Sequence, residues 1–486
     1  MNIKTASSVY DELSLIGEWW LPDEPEKQCR GELTGSASEG FSLSLEGSLE
    51  DFYESESNRI ILGQTREGKL ITLGKCWVRA MKGRSATYLV HFVMIGGHFP
   101  TYDSWRFGGV RFGIHLLDDW HNPKCFSSLK PENDDSYTLT YRPPRRELIA
   151  ETDAVAVYLD YDINPTKYTV AQTEYTLKHA ARIEVLPLNE DMPLLPHDDS
   201  HDECTYSKLI HHLRGLIALA TSAQVFPYDV RACPPRGAIS PFSDTSRQFS
   251  IQIYWIAEIP CELPTRAPHD MVFTWEHIKS APVRHINAWL SKTPRIGMPV
   301  WLYLDAVCHK HRYAEDPYIS LVKALEGYHR YANPNESLPS EAHKRKLDKI
   351  YEAVPPESLK WLMQKLAYSH EPSLAKRLRD LFRNQKECSV WLLGAWKNVN
   401  PWIQEIKDTR NAHAHCLGEA IATAVGDPRK RHREKILMQA IMLRCLLSEL
   451  EFESELAMCF MRRNREFAHF AKQHSISVDS ESSDWL

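Results

Sequence analysis

Apolar positions along this chain follow two different periods, and the change between them falls near residue 315. From about residue 40 to 190, short runs rich in β-branched and aromatic residues are separated by Gly, Pro and Asp. Arg59-Ile60-Ile61-Leu62 and Lys69-Leu70-Ile71-Thr72-Leu73 flank Arg66-Glu67-Gly68, which predicts a hairpin. Thr87 to Ile95 reads as a strand stopped by Gly96-Gly97, and Val110–Leu116, Tyr137–Tyr141, Ala154–Tyr161 and Ala181–Leu186 read as further strands. Many short strands between turn residues predict a sandwich- or barrel-like β domain. Residues 191–312 read as a mixed α/β continuation, with a helix over Leu209–Ala220, a strand over Phe249–Ile259 and a helix over Trp275–Trp289.

Beyond residue 315 the spacing becomes helical. Tyr318, Leu321, Val322, Leu325 and Tyr328 recur at three and four, ending before Asn333-Pro334. Leu359, Leu362, Met363 and Leu366 mark a second helix, and Leu374, Leu378, Leu381 and Phe382, entered through Pro372-Ser373, mark a third. Ala412–Val425 and Ile436–Phe460 are expected to be helices joined by a basic loop, Asp427 to Arg431. The fold expected is therefore α+β multidomain: a β-rich domain over 1–190, the continuation over 191–312, an all-α bundle over 313–474 and a polar, mobile tail over 475–486.

Composition changes this picture mainly through charge. The chain of 486 residues carries a formal net charge of −6, but residues 301–486 carry +3 and the remainder −9. A polyanionic partner is therefore expected at the C-terminal part. Three local runs stand out: His343-Lys344-Arg345-Lys346, Arg429-Lys430-Arg431-His432-Arg433 and Arg462-Arg463-Asn464-Arg465. Any one of them alone fits a solvated surface equally well. No run approaches the roughly 20 apolar residues of a membrane span, so no membrane partner is expected. Met1–Trp20 lacks an apolar core after a basic start, and the 11 cysteines are scattered without regular spacing. Both fit a cytoplasmic protein with free thiols.

Most enzyme signatures are absent, including GxGxxG after a strand, Walker A, HExxH and GxSxG. His197, His201 and Cys204 match no zinc spacing and lack a fourth ligand, so a solvated loop is expected there, with no metal and no cofactor. What remains is the run from Lys407 to His415. Asp408 or Thr409 reads as an N-cap, with Leu417, Ala420, Ile421, Ala424 and Val425 as the apolar stripe of the helix that follows. Arg410 and His415 stand five apart, about 140° around an ideal helix. They converge on one phosphate only if the run straddles a helix end or if a second chain contributes. RNA cleavage without a metal needs a base for the ribose 2′-OH, an acid for the departing 5′ oxygen and a cation on the phosphate. Histidine serves as acid or base near neutrality, and arginine grips phosphate oxygens in pairs. One Arg and one His are too few proton-transfer groups unless His413 also serves or a two-fold dimer duplicates the set. The bland alternative is that Arg410 and His413 merely cap, pair or pack.

Arg410-Asn411…His415 resembles the Arg-x4–6-His signature of HEPN domains. Its surroundings, Asp316 to Arg330, then Pro372 to Phe382, then the motif, resemble the ApeA-like HEPN subgroup. Gly17-Glu18-Trp19-Trp20-Leu21-Pro22, Gly31 to Leu33, Leu45 to Gly47 and Ile60 to Leu73 are similar to that group's N-terminal β-rich domain. The resemblance implies an anti-phage protein of the abortive-infection type. Its HEPN domain would be a metal-independent endoribonuclease with Arg410, Asn411 and His415 as its working residues. It would act as a homodimer on host RNA, tRNA favoured, and leave 2′,3′-cyclic phosphate and 5′-OH ends. The N-terminal domain would sense a phage-encoded trigger. Arg429, Lys430, Arg431 and Arg433 are the candidate RNA-binding group. Two other readings stand beside this one. A non-catalytic HEPN module would bind RNA, nucleotide or a protein partner. Alternatively, the β-rich part would bind a ligand through Trp19, Trp20, Trp105 and Trp120, although aromatics in β domains are more often core.

Overall fold

The computed structural model describes residues 12–49, 58–83, 85–129, 138–165, 177–196, 204–236, 248–257, 259, 263–309, 311, 315–337, 339–414 and 428–479. The chain divides into two compact units. The first takes Met1–Ile217, Val225–Pro268 and Thr274–Asn287, and the second takes Ala218–Gln224, His269–Phe273 and Ala288–Leu486.

In the first unit, β1 (Leu13–Trp20), β2 (Cys29–Ser36), β3 (Gly40–Leu45), β4 (Arg59–Thr65), β5 (Leu70–Lys82) and β6 (Ser85–Ile95) form a closed antiparallel ring in the order β6-β3-β2-β1-β4-β5. Closure comes from β6, whose Ser85–Ile95 pairs β5 along its whole length while its Ala86–Val90 half pairs β3. Alternation fills the interior. Phe41, Leu43 and Leu45 of β3 point inward with Trp19, Leu33, Ile61, Ile71, Leu73, Tyr88 and Val90. Gly68, at φ +81°, turns the chain between β4 and β5, as the expected hairpin requires. Gly63 is needed because a Cβ there would sit 2.2 Å from the Trp19 ring.

The other half of β6, Phe92–Ile95, pairs an open sheet instead. That sheet runs outward through Ile251–Trp255, Pro227–Cys233, Gly109–Ile114, Leu177–Pro187, Val155–Pro165 and Glu147–Glu151. The expected β-rich domain with a barrel is thus present, and the strands expected near residues 60, 70, 90, 112, 139, 158 and 184 all form. Among the four tryptophans considered as a ligand platform, Trp19, Trp105 and Trp120 are 0–2 % exposed and belong to the core. The helix expected over Trp275–Trp289 is two, Trp275–Ile278 and Pro282–Ile296, because Pro282 lacks the N–H needed to continue the first.

The second unit is helical: α1 (Met298–Cys308), α2 (Glu315–Ala332), α3 (Glu341–Glu352), α4 (Pro356–Leu366), α5 (Leu374–Asn384), α6 (Lys386–Leu393), α7 (Val399–Ala414), α8 (Pro428–Glu449), α9 (Ser454–Arg463) and α10 (Arg465–Asp479). α8 is the central helix. Every residue from Ile436 to Leu447 is buried, the polar Gln439 and Arg444 included, so no face of this stretch is left to solvent. The expected stripe of α2 faces inward as predicted, with Tyr318, Leu321, Val322, Leu325 and Tyr328 all buried. Ser373 caps α5 by accepting the Lys376 N–H at 3.3 Å.

Three expectations are corrected in this unit. The single helix expected over Ile436–Phe460 is broken after Glu449, where Glu451 takes φ +62°, giving α8 and α9. The basic run from Arg429 lies in the first turns of α8, not in a loop, because Pro428 supplies a helix-ready φ at the first position. The helix α10 continues to Asp479, into the segment expected as a mobile tail. No helix among the described residues is long and apolar enough to cross a membrane.

Candidate functional site

The motif helix α7 begins at Val399, nine or ten residues before the cap expected at Asp408 or Thr409. Its buried stripe explains the difference. Val399, Ile403, Ile406, Thr409 and Ala412 recur at three and four and are all at most 3 % exposed. Thr409 therefore continues the core face, and Asp408 accepts from the Gln404 amide at 2.8 and 3.0 Å, one turn back. Arg410, Asn411 and His413 lie in the last turns of α7, half-buried beside that stripe. His415 lies outside the described residues, as does most of the helix expected over Ala412–Val425.

Within the motif, Arg410 Nη1 donates to Asn411 Oδ1 at 3.1 Å. The bond occupies the oxygen end of the Asn411 amide and leaves its amino end as a donor. His413 stands three residues from Arg410, adjacent on the helix surface, with its ring 6.0 Å from that of Tyr318. Burial holds the His413 imidazole below its usual range, and Arg431 adds to this while the Glu315 carboxylate opposes it. The balance favours the neutral form of His413.

A buried polar knot fixes α7 behind these residues. Glu434 of α8 has no exposure. Its Oε2 lies 2.6 Å from the Tyr318 hydroxyl and its Oε1 lies 3.4 Å from the Thr409 hydroxyl. Tyr318 Oη also lies 3.3 Å from the Ile406 carbonyl, but with one proton to give, its 2.6 Å bond to Glu434 dominates. One carboxyl thus ties α2, α7 and α8 together. Burial raises the pKa of Glu434, against the lowering influence of both hydroxyls, and burial likewise raises that of Tyr318. Neither residue was singled out as functional from sequence. The only trace in the sequence was an acidic residue two positions before a run, Ile436 to Leu447, that is apolar except for Gln439 and Arg444.

The candidate RNA-binding group occupies the first turns of α8. Lys430 lies 3.6 Å from Glu405 of α7, and Arg431 pairs with Glu315 at the start of α2. Glu315 is held below the usual carboxylate range, first by its own backbone N–H and then by Arg431. Lys430 and Arg431 therefore spend part of their charge on neighbouring carboxylates. Arg429 is exposed and Arg433 half-buried. Two of the four are thus brought beside the motif helix through carboxylates of α2 and α7.

Among the described residues, one group in the second unit has the composition of a cation site: His329, Glu336 and Asp380. Lys376 already fills it, with its ammonium 2.7 Å from Glu336 and 2.8 Å from Asp380. Asp380 in turn bonds His329 at 3.4 Å. The group is a salt network that joins α2 to α5.

Comparison with known proteins follows the same division of the chain. The family model described as ApeA N-terminal domain 1 matches residues 14–289, more than half of the chain, and the one described as Apea-like HEPN matches residues 319–456. Neither the curated proteins nor the solved structures give a match. The HEPN match encloses most of α2, Thr409 and Glu434 of the knot and the whole motif from Arg410 to His415, with Tyr318 one residue before its start. The chain belongs to the ApeA family, with an ApeA N-terminal domain 1 followed by an Apea-like HEPN domain.

Proposed function

We propose that this protein is a defence-associated HEPN endoribonuclease, cleaving host RNA, tRNA in particular, once phage infection is sensed through its N-terminal part. The observation that carries the reading is the Apea-like HEPN match, with the Arg410-Asn411…His415 run intact inside it. In this reading Arg410 holds the phosphate oxygens and the Asn411 amino group donates a further hydrogen bond. A histidine takes the ribose 2′-OH proton as the 2′ oxygen attacks phosphorus. A protonated group then delivers a proton to the departing 5′ oxygen, leaving a 2′,3′-cyclic phosphate and a 5′-OH. No metal is required by this scheme. His415 is the first proton-transfer group. The second is supplied by His413, or by His415 of a second copy in a homodimer. His413 is suited to act as a base because burial favours its neutral form.

The test is cleavage of total tRNA by the purified chain in the presence of a chelator, with RNA end groups identified. Arg410→Ala and His415→Ala are each expected to abolish cutting with an unchanged far-UV spectrum. Full cleavage by both variants would remove the assignment and favour a HEPN module that only binds.

A further inference from the structure

The helices α3 and α4 differ from the rest of the second unit. No residue from Glu341 to His370 is buried, although both helices have regular apolar spacing. Leu347, Ile350, Leu359, Leu362 and Leu366 are only half-covered. The pair is closed on itself at one end, where His343 Nε2 lies 3.1 Å from Ser369 Oγ.

Large apolar side chains on and just past α4 are unusually exposed. Trp361 is 60 % exposed, Met363 49 % and Tyr368, just past the helix end, 76 %. Three of the four most exposed large apolar side chains among the described residues thus fall within eight positions. On an ideal helix the half-covered Leu359, Leu362 and Leu366 define one side, and Trp361 points away from it. Glu357, one turn before Trp361, lies on that outward strip, and Lys360 and Lys365 fall on either edge of it. Neither lysine makes an ion pair among the described residues. Residues 341–370 hold six Lys and Arg against four Asp and Glu, in a chain whose overall charge is −6.

We propose that the outward face of α4, with Trp361 and Tyr368 as stacking surfaces and Lys360 and Lys365 at its edges, binds single-stranded RNA. This deepens the ribonuclease reading by giving the substrate a docking surface on the same unit. Exposed rings flanked by lysines are the components such recognition needs, since each base offers a flat face to a ring and each phosphate a charge to an ammonium. The basic excess across the two helices, six Lys and Arg against four Asp and Glu, is what a polyanion requires of its partner. The basic run Lys344-Arg345-Lys346 on α3, which the ribonuclease site does not use, lies on the same element pair.

The test measures binding of a fluorescein-labelled 12-nucleotide oligouridine by anisotropy, in the full-length His415→Ala chain so that the probe survives. Trp361→Ala with Tyr368→Ala is expected to weaken binding at least tenfold, since a base stacked on a ring contributes roughly 5- to 150-fold. Trp361→Phe with Tyr368→Phe is expected to restore most of it. Lys360→Glu with Lys365→Glu should lower the slope of log affinity against log salt by about 1.4, the value for two phosphate contacts on a single strand. Because none of these side chains is buried, unchanged thermal unfolding serves as the folding control. Binding equal to the parent in the double alanine variant overturns the proposal. So does a change confined to sedimentation, which would identify the face as a contact between copies. A parent chain that cuts no RNA yet binds the probe through Trp361 and Tyr368 would refute the ribonuclease reading and leave this surface standing.

Discussion

Tyr318→Phe isolates the knot behind the motif helix. The change keeps the ring that packs in α2 and removes only the hydroxyl that meets Glu434 at 2.6 Å. Tyr318 is 1 % exposed and Glu434 is fully buried, so water cannot replace the lost donor without opening the interface. A hydrogen bond to a charged or strongly polar buried partner is worth about 1.5–3 kcal/mol, and leaving the partner unsatisfied adds a desolvation cost in the same range. We therefore expect a loss of roughly 1.5–3 kcal/mol, which for a unit of this size lowers its thermal midpoint by about 3–12 °C. The effect should be local as well as global. Amide exchange should speed up most over Ile406–Ala414, since the carboxyl that loses its partner also holds Thr409 of α7. A double-mutant cycle with Glu434→Gln separates this bond from generic packing, because residues in one network couple by about 0.5–3 kcal/mol. A thermal midpoint equal to the parent would refute the reasoning, as would strictly additive losses in the cycle.

The remaining predictions concern titration and packing. Burial raises the Glu434 pKa, so the folded chain binds that proton more tightly than the unfolded chain does. The resulting stability is full below the ordinary carboxylate range and is lost as pH rises through the raised folded value. Glu434→Gln removes this dependence, so its thermal midpoint should gain on the parent between pH 5 and pH 8; parallel curves would contradict the assignment. Glu315 raises the His413 pKa against burial and Arg431, so Glu315→Gln should move the His413 titration, followed by imidazole NMR shifts, to lower pH. An upward or absent shift would exclude that pairing. Gly63→Ala places a Cβ 2.2 Å from the Trp19 ring and should cost the barrel about 1–3 kcal/mol, read as earlier unfolding of the first unit in a calorimetric scan; an unchanged transition would show that Trp19 can yield.

How far the sequence specified this fold depends on how locally each element is determined. The strand pair 59–65 and 70–82 was legible because alternation and a glycine turn sit side by side in sequence. β2 was not, since CRGELTGS holds one large apolar residue, Leu33, and its place follows from pairing β1 and β3. The closed ring was equally hidden, because β6 pairs three different strands and no period within one strand encodes that. In the helical unit, α2 and α5 carried complete stripes and were read correctly. The start of α7 was missed because Asp408-Thr409 has the chemistry of a cap, while Val399, Ile403 and Ile406 show it to be mid-helix. Glu434 was invisible for a related reason: its partners, Tyr318 and Thr409, come from two other helices.

The cations around the motif are not equivalent. Lys430 and Arg431 face Glu405 and Glu315, and their net pull on an anion is reduced accordingly. Arg410 bonds the neutral Asn411 amide instead, which orients its guanidinium without neutralising it. In the proposed ribonuclease Arg410 would therefore be the main phosphate ligand of α7. A second copy would bring another Arg410, together with the proton-transfer group that one motif lacks on its own.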